Sequence, residues 1–274
     1  MLARVFPRRT NATPIDDYAF IGEPPMYLPD DIGEVHVSCT FTWDMPRSEQ
    51  LRKEWGMYYD NVKLGGPAYG NRGDEFNTGK YLKDGCVITS RGCVNKCSFC
   101  FVPKREGDLR LLEIKDGYNV MDNNLLACPR WHIEAVMEML SKQKHRAIFT
   151  GGIDTRMITK WWCDMAVAIK PKSIYFAYDT PSQSKQLEAA VDMMRGSGMT
   201  DKSHQLACYV LVGYNDDTIA EAEKRLEWVA SLGVRPYAMY YRSPGSNANK
   251  PKEWAKLVRL WIRPHIVYTT MKKS

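Results

Sequence analysis

From residue 86 onward, short apolar runs alternate with longer segments whose apolar residues recur at helical spacing. Runs of about four to eight residues that are rich in β-branched and aromatic side chains are typical of buried strands. The pattern predicts six such strands, over residues 86–90, 118–124, 147–152, 172–179, 206–213 and 236–241.

The segments between these strands are predicted to be amphipathic helices. The first of them begins at Pro129 and has apolar residues at i, i+3, i+4 and i+7: Ile133, Val136, Met137 and Leu140. Strands that alternate with amphipathic helices indicate parallel strands joined by right-handed crossovers, so we predict an α/β fold. The first connection is an exception, because residues 104–116 leave little room for a full helix.

The upstream part of the chain has a different pattern. Residues 1–33 are rich in proline and have few periodic apolar positions, which predicts an extended arm. Residues 34–84 are predicted to form a short βαβ-like unit followed by a loop that is rich in Gly and Asn. The predicted organisation is therefore 1–33, 34–84 and 85–274, the last including a C-terminal tail.

Composition narrows the class of protein. The chain has 274 residues, of which 44% are hydrophobic and 26% charged, an ordinary balance for a globular protein. We expect no membrane span, because no apolar run approaches ~18–20 residues. We also expect no signal peptide, because no apolar segment follows the charged N-terminus. Eight cysteines in a chain of this length are too few for a disulfide scaffold, which favours a reducing, cytoplasmic setting.

The net charge of +6 permits an anionic partner without demanding nucleic acid. Basic residues gather near both ends of the sequence, where they form either solvated termini or a phosphate-binding surface. They are Arg4, Arg8, Arg9, Arg259, Arg263, Lys272 and Lys273.

Three cysteines follow the first predicted strand at the spacing C-x3-C-x2-C. They are Cys93, Cys97 and Cys100, and the aromatic Phe99 directly precedes the third. Three thiolates suit an iron–sulfur cluster better than a closed zinc site, which requires four ligands. A [4Fe–4S] cluster with three cysteine ligands has one iron that is free to bind a small molecule.

This motif resembles the defining motif of the radical S-adenosylmethionine (SAM) superfamily. The resemblance implies that the open iron holds the amino and carboxylate groups of SAM. It also implies that an electron from the cluster cleaves SAM to a 5′-deoxyadenosyl radical. The six predicted strands then match that superfamily's partial (β/α)6 TIM-like barrel over residues 85–274.

In parallel α/β barrels the active site lies at the carboxyl ends of the strands. The ammonium group and ribose hydroxyls of SAM favour carboxylates and amides, and its carboxylate favours Arg or backbone N–H groups. The strand ends supply the candidates Asp122, Asn123, Asn124, Gly151, Gly152, Asp154, Arg156, Tyr178, Asp179, Gly213, Tyr214, Tyr241 and Arg242.

The resemblance assigns roles to some of these residues. Either the Gly151–Gly152–Ile153–Asp154 segment or the Asp122–Asn123–Asn124 segment would contact the SAM amine, and the sequence leaves both open. Asp179 resembles the acidic residue that contacts the ribose or the amine. Gly213 lies in a segment that resembles the strand-five motif beside adenine.

The Asp-Asn-Asn segment and the upstream unit resemble the cobalamin-linked branch of the superfamily. The chain lacks the Asp-x-His-x-x-Gly motif that ligates cobalamin, and about thirty residues of βαβ are too few for a complete doubly wound sheet. We therefore interpret residues 34–84 as a degenerate remnant of such a domain and expect no cobalamin site.

The five remaining cysteines lie singly, so no auxiliary cluster is predicted. They are Cys39, Cys86, Cys128, Cys163 and Cys208. Cys163 and Cys208 lie in apolar stretches typical of core residues, whereas Cys39 and Cys128 are better candidates for a chemical role.

The predicted function is a radical SAM enzyme that abstracts hydrogen from a substrate not named by the sequence, a nucleotide or another small molecule. Its electron donor would be a flavodoxin or a ferredoxin. One alternative is a non-catalytic iron–sulfur or zinc-binding module. Another is a nucleotide- or tRNA-modifying enzyme similar to the methylthiotransferases.

Overall fold

The computed structural model describes residues 1–71, 75–200, 205–243, 246 and 250–262. The basic residues Arg263, Lys272 and Lys273 lie outside the described residues. The described chain forms two parallel sheets and a short antiparallel pair. The predicted α/β class, with parallel sheets and helices, is confirmed.

The first sheet has four parallel strands in the order β2-β1-β3-β4. They are β1 (Leu2–Phe6), β2 (Ala19–Ile21), β3 (Glu34–Ser38) and β4 (Val62–Gly65). Helix α1 (Met45–Trp55) connects β3 to β4 and buries Leu51 and Trp55 completely. Its packing against Val5 and Val37 forms a separate small core.

Two strands of this sheet come from the segment that was predicted to be an extended arm. The apolar alternation of β1 is interrupted by Arg4, whose side chain is 9% exposed. Its guanidinium donates hydrogen bonds to the carbonyls of Gly79 and Lys80 and forms an ion pair with Asp16. A strand with a buried, paired arginine has no recognisable apolar pattern, so the sequence analysis missed it.

The second sheet has six parallel strands, which are neighbours in chain order. They are β5 (Cys86–Val87), β8 (Asn119–Val120), β9 (Ile148–Asp154), β10 (Ser173–Tyr178), β11 (Leu206–Val212) and β12 (Arg235–Tyr240). The intervening helices are α3 (Arg130–Ser141), α4 (Lys160–Ala168), α5 (Ser184–Gly196) and α6 (Ile219–Ser231), and α7 (Lys252–Trp261) follows β12.

The first connection of the second sheet has no full helix. It holds an antiparallel pair, β6 (Ser90–Arg91) with β7 (Arg110–Leu111), and the single turn α2 (Val102–Arg105). Five short 3-10 turns complete the described elements: Thr42–Asp44, Pro67–Tyr69, Leu125–Ala127, Thr155–Met157 and Pro181–Gln183.

The two faces of the second sheet differ because alternate side chains of a strand point to opposite faces. Ile174, Phe176 and Tyr178 of β10 are buried in the core against the helices. The other face carries tyrosines, and the rings of Tyr175 and Tyr209 stack with centroids 4.8 Å apart. In the described part of the chain, no helix is long and apolar enough to cross a membrane.

Candidate functional site

The three motif cysteines lie in one loop, residues 92–101, which we call the cysteine loop. Cys93, Cys97 and Cys100 are free thiols and all three are half-buried. The Cys100 N–H donates to the Cys97 carbonyl at 3.0 Å. Burial raises the pKa of the Cys100 thiol, and charge on the other two cysteines and on Asp179 raises it further. The three thiols therefore share one electrostatic environment.

Asp122 fixes the start of the cysteine loop. Its carboxylate is 1% exposed and accepts hydrogen bonds from the Thr89 N–H and the Thr89 hydroxyl, both at 2.6 Å, and from the Ser90 hydroxyl at 2.7 Å. Burial raises the pKa of Asp122, and these hydrogen bonds oppose that shift. Three protein donors bind this carboxylate, so it ties β8 to the end of β5.

Asn123 and Asn124 hold the same loop from the end of β8. The Gly92 N–H donates to the Asn123 side-chain oxygen at 3.1 Å, and the Asn124 amide lies 3.6 Å from the Cys93 Sγ. Asn124 is 3% exposed, and its side-chain oxygen is buried without a hydrogen-bond partner in the described structure. A buried acceptor of this kind is costly unless a bound group donates to it.

Asp154, at the end of β9, links the cysteine loop to Arg156. The guanidinium of Arg156 donates to both carboxylate oxygens, at 2.8 and 2.7 Å, and the Asn95 amide donates to Oδ2 at 2.8 Å. Burial alone would raise the pKa of Asp154, but the hydrogen bonds from Arg156 outweigh it and lower the pKa. The pKa of Arg156 is raised, first by Asp154 and then by a contact with Cys97.

The two glycines of β9 form a bulge inside the strand instead of ending it. Phe149 is opposite Ile174, and Ile153 is opposite Phe176. Between these pairs β9 has the three residues 150–152, whereas β10 has only residue 175. A side chain at Gly151 would clash with the Asp122 backbone, and Gly152 has a left-handed φ of 90°. The predicted strand end at residue 152 is therefore corrected to Asp154.

Asp179, directly after β10, lies beside this network. Burial raises its pKa to about 6, the charge of Asp154 adds to the shift, and Arg156 opposes it. Tyr178 does not join the site. It is 4% exposed and packs against Trp228 with ring centroids 5.2 Å apart, because its side chain points to the helix-covered face.

An aromatic wall connects the cysteine loop to the ends of β11 and β12. The centroids of Phe99 and Tyr214 are 5.8 Å apart, and those of Tyr214 and Tyr241 are 4.7 Å apart. Gly213 has a left-handed φ of 73° and packs closely on the Tyr240 ring. The sequence analysis named Tyr214 and Tyr241 as candidates at strand ends, but it did not predict that their rings pack together with Phe99. It also did not predict the contact of Asn95 with Asp154.

A second group of residues of metal-binding type lies near the start of the cysteine loop. One ligand atom each from Asp122, Cys128 and His132 lies within 4.8 Å of the other two, and all three residues are buried. His132 Nε2 is 3.1 Å from the Thr89 hydroxyl, and burial raises the pKa of Cys128 to about 11. Asp122 and His132 also contact Thr89, so these metal-binding residue types belong to the hydrogen-bond network at the start of the loop.

The other cysteine with a predicted chemical role, Cys39, is fully buried directly after β3. Its thiol donates to the Phe41 carbonyl at 3.2 Å, and burial raises its pKa. Cys86, Cys163 and Cys208 are also buried.

Comparison with protein-family models and with curated proteins finds no match for this chain. The fold and the site together define an α/β protein with three free thiols and a carboxylate–guanidinium network at the carboxyl edge of a parallel sheet.

Proposed function

We propose that this protein is a radical SAM enzyme, with a [4Fe–4S] cluster held by Cys93, Cys97 and Cys100 and SAM bound beside it. One observation carries the proposal. Three free, half-buried thiols of one loop lie at the carboxyl edge of a six-stranded parallel sheet whose strands follow chain order. We propose that this sheet is a partial (β/α)6 TIM-like barrel. A parallel sheet that curves toward closure with its strands in chain order has that architecture.

The number of thiols supports a cluster over a single zinc ion. The loop supplies three free thiols, Cys93, Cys97 and Cys100, whereas a structural zinc site requires four protein ligands. A cluster of four irons can be held by three cysteines, with the fourth iron left for SAM.

The residues beside the cysteines suit the amino acid and ribose of SAM. The unpartnered Asn124 oxygen and the Asp179 carboxylate can each accept a hydrogen bond from an ammonium or hydroxyl group. The carboxylates of Asp122 and Asp154 both accept several hydrogen bonds from the protein, so these bonds do not favour one of the two segments over the other for contact with the amine. Arg156 holds Asp154 in place and keeps it ionised.

When bound, the cluster and SAM together supply reductive cleavage to a 5′-deoxyadenosyl radical. The chain positions the reactants and excludes water, with the aromatic wall of Phe99, Tyr214 and Tyr241 on one side. The substrate is a nucleotide or another small molecule, and a flavodoxin or ferredoxin supplies the electron. An exposed cluster requires a reducing compartment, so we place the protein in the cytoplasm.

Iron content after anaerobic reconstitution tests the proposal. We expect about four irons per chain and a brown protein whose colour dithionite bleaches. Replacing Cys93, Cys97 or Cys100 by Ala should remove the iron, whereas Cys163→Ala, in the core, should retain it. A colourless protein with stoichiometric zinc would instead indicate a metal-binding module. An iron count near twice the expected value would indicate an auxiliary cluster.

A further inference from the structure

Two neighbouring cations beyond the end of β12 have no acidic partner. The guanidinium of Arg242 lies over the Trp43 ring, 4.6 Å from its centroid, and the Lys250 ammonium lies 5.1 Å from the centroid of the Tyr240 ring. Among the residues that the structure describes, neither cation forms an ion pair or a side-chain hydrogen bond. The proposed function uses neither of them.

The backbone places the two charges near each other. The Tyr241 N–H donates to the Val212 carbonyl at 2.8 Å, so the chain stays extended where β12 ends. Side chains two residues apart in extended chain point to the same side, so Arg242 lies on the side of the Tyr240 ring that Lys250 contacts. Burial lowers the pKa of Lys250, and the charge of Arg242 lowers it further.

Aromatic rings hold both cations in place. Trp43 is itself fixed by stacking on Phe41, with centroids 4.7 Å apart, and Tyr240 packs against Trp254, with centroids 5.5 Å apart. The attraction between a cation and a ring face does not use the hydrogen-bond donors of the cation. The guanidinium has five N–H donors and the ammonium has three, so the pair can bind an anion without giving up a partner.

Another cation over a ring shows the usual arrangement. The guanidinium of Arg130 lies over the Trp161 ring at 4.4 Å and also donates to the Glu134 carboxylate at 3.1 Å. No acid plays this part for the two cations beyond β12. Glu253, in the first turn of α7, is exposed and forms no ion pair within the described part of the chain. Two positive charges held together without an acid favour an anionic ligand between them.

The pair lies at the rim of the proposed active site. Tyr241 directly precedes Arg242 and belongs to the aromatic wall, which continues through Tyr214 to Phe99 of the cysteine loop. A ligand that is anchored at the rim by an anionic group can therefore extend along this wall towards the cysteine loop.

We propose that Arg242 and Lys250 bind a phosphate monoester group of the substrate. That the ligand is the substrate rests on the proposed function, whereas the phosphate contact rests on the two cations. A phosphate monoester carries a charge of about −1.5 to −2 at pH 7, which matches two cations better than the single charge of a carboxylate or a phosphodiester. The guanidinium binds two phosphate oxygens side by side, and the ammonium acts as a point charge. The substrate is therefore a phosphorylated small molecule.

Isothermal titration calorimetry of the full chain, before and after anaerobic reconstitution, tests the proposal. The probes are phenyl phosphate, ribose 5-phosphate, benzoate and a short oligouridylate. We expect at least one of the two monoesters to bind, and Arg242→Ala and Lys250→Gln each to weaken its binding by at least about fivefold. Lys250→Arg should retain binding, because it keeps the charge. Arg130→Ala and Lys80→Ala are matched controls that remove other cations lying over rings, and they should not change binding.

Circular dichroism shows whether each variant is folded, and Lys250→Gln carries the test if Arg242→Ala does not fold. No heat from either monoester at millimolar concentration would overturn the proposal. Equal binding by the parent and the Arg242→Ala, Lys250→Gln double variant would also overturn it, as would benzoate or oligouridylate binding as tightly as phenyl phosphate.

The two proposals can fail separately. Monoester binding by a chain that takes up no iron would support the phosphate site and contradict the proposed function. A chain with a normal cluster and no monoester binding would contradict the phosphate site alone.

Discussion

Asp179 carries a carboxyl group whose pKa is raised to about 6, chiefly by burial. A folded-state pKa above the unfolded value of about 4 means that ionising this group costs stability. The cost is absent below about pH 4, grows as the pH rises, and is complete above about pH 6. A carboxylate held at such a cost is typical of functional sites, which supports the binding role that we propose for Asp179.

We therefore expect Asp179→Asn to raise the free energy of unfolding at about pH 8 by about 2 kcal/mol, after allowance for partial exposure. The gain should vanish at about pH 4, where Asp179 is protonated in both states. Urea unfolding of the metal-free protein at the two pH values measures the effect. Asp216→Asn, at an exposed position, should show no gain. A variant that is less stable than the parent at the higher pH would show that Asp179 is structural.

Asp122 is expected to behave in the opposite way, because its carboxylate binds three protein donors. Asp122→Ala leaves the Thr89 N–H buried without its acceptor and releases the start of the cysteine loop. We expect the free energy of unfolding to fall by about 2 kcal/mol and the iron content to fall with it. Urea unfolding and iron analysis measure the two effects, with Asp216→Ala as the control.

This expectation revises the role that the resemblance suggested for Asp122. A direct contact with SAM would predict weaker SAM binding with normal stability and normal iron content. That result would restore Asp122 as a SAM-binding residue.

The bulge in β9 brings this strand close to the end of β8. A Cβ atom on Gly151 would lie well inside van der Waals distance of the Asp122 backbone. Gly151→Ala must therefore separate the two strands and disturb the loop that Asp122 holds. We expect a loss of stability of about 2–3 kcal/mol and a loss of iron, measured by thermal unfolding and iron analysis.

Gly196, at the end of α5, is the matched control because a Cβ there would meet no heavy atom within 4 Å. Gly196→Ala should be neutral or stabilising by up to about 1 kcal/mol. Equal tolerance of both substitutions would show that the bulge can relax, and that its geometry does not determine the position of the loop.

At the same scale, the elements predicted from the sequence share one physical property. Helices α3 to α6 and strands β9 to β12 each bury an apolar face against the same core. Their apolar residues therefore recur at the spacing of a helix or a strand, and this spacing made them predictable. Strand β1 was missed because it contains the buried, paired Arg4. Strand β5 was predicted over residues 86–90 but spans only Cys86–Val87, and Thr89 and Ser90 donate to Asp122.

Across the whole molecule, the two sheets meet near the carboxyl ends of their strands. Arg242, just beyond β12, lies over the ring of Trp43 at 4.6 Å, and Trp43 belongs to the loop that follows β3. The Lys83 N–H donates to the Ala12 carbonyl at 2.8 Å, which ties the linker before β5 to the first sheet. The segments beside the two sheets therefore contact each other directly.

The sequence predicted the cysteines and several residues that surround them, because the carboxyl ends of parallel strands meet at one edge. Asp154, Arg156 and Asp179 lie together as that rule requires. The rule gives no side-chain direction, so Tyr178 was included although it points into the core. Asn95 was missed because its contact with Asp154 spans 59 residues and leaves no local pattern.

Formation of 5′-deoxyadenosine tests the central claim most directly. The protein is reconstituted anaerobically, reduced with dithionite and incubated with SAM, and the nucleoside is measured by chromatography. We predict slow formation even without substrate, none from Cys100→Ala, and less from Asp179→Asn at equal iron content. If the parent protein has an intact, reduced cluster and forms no 5′-deoxyadenosine, also in the presence of candidate substrates, the result contradicts the proposed radical SAM activity.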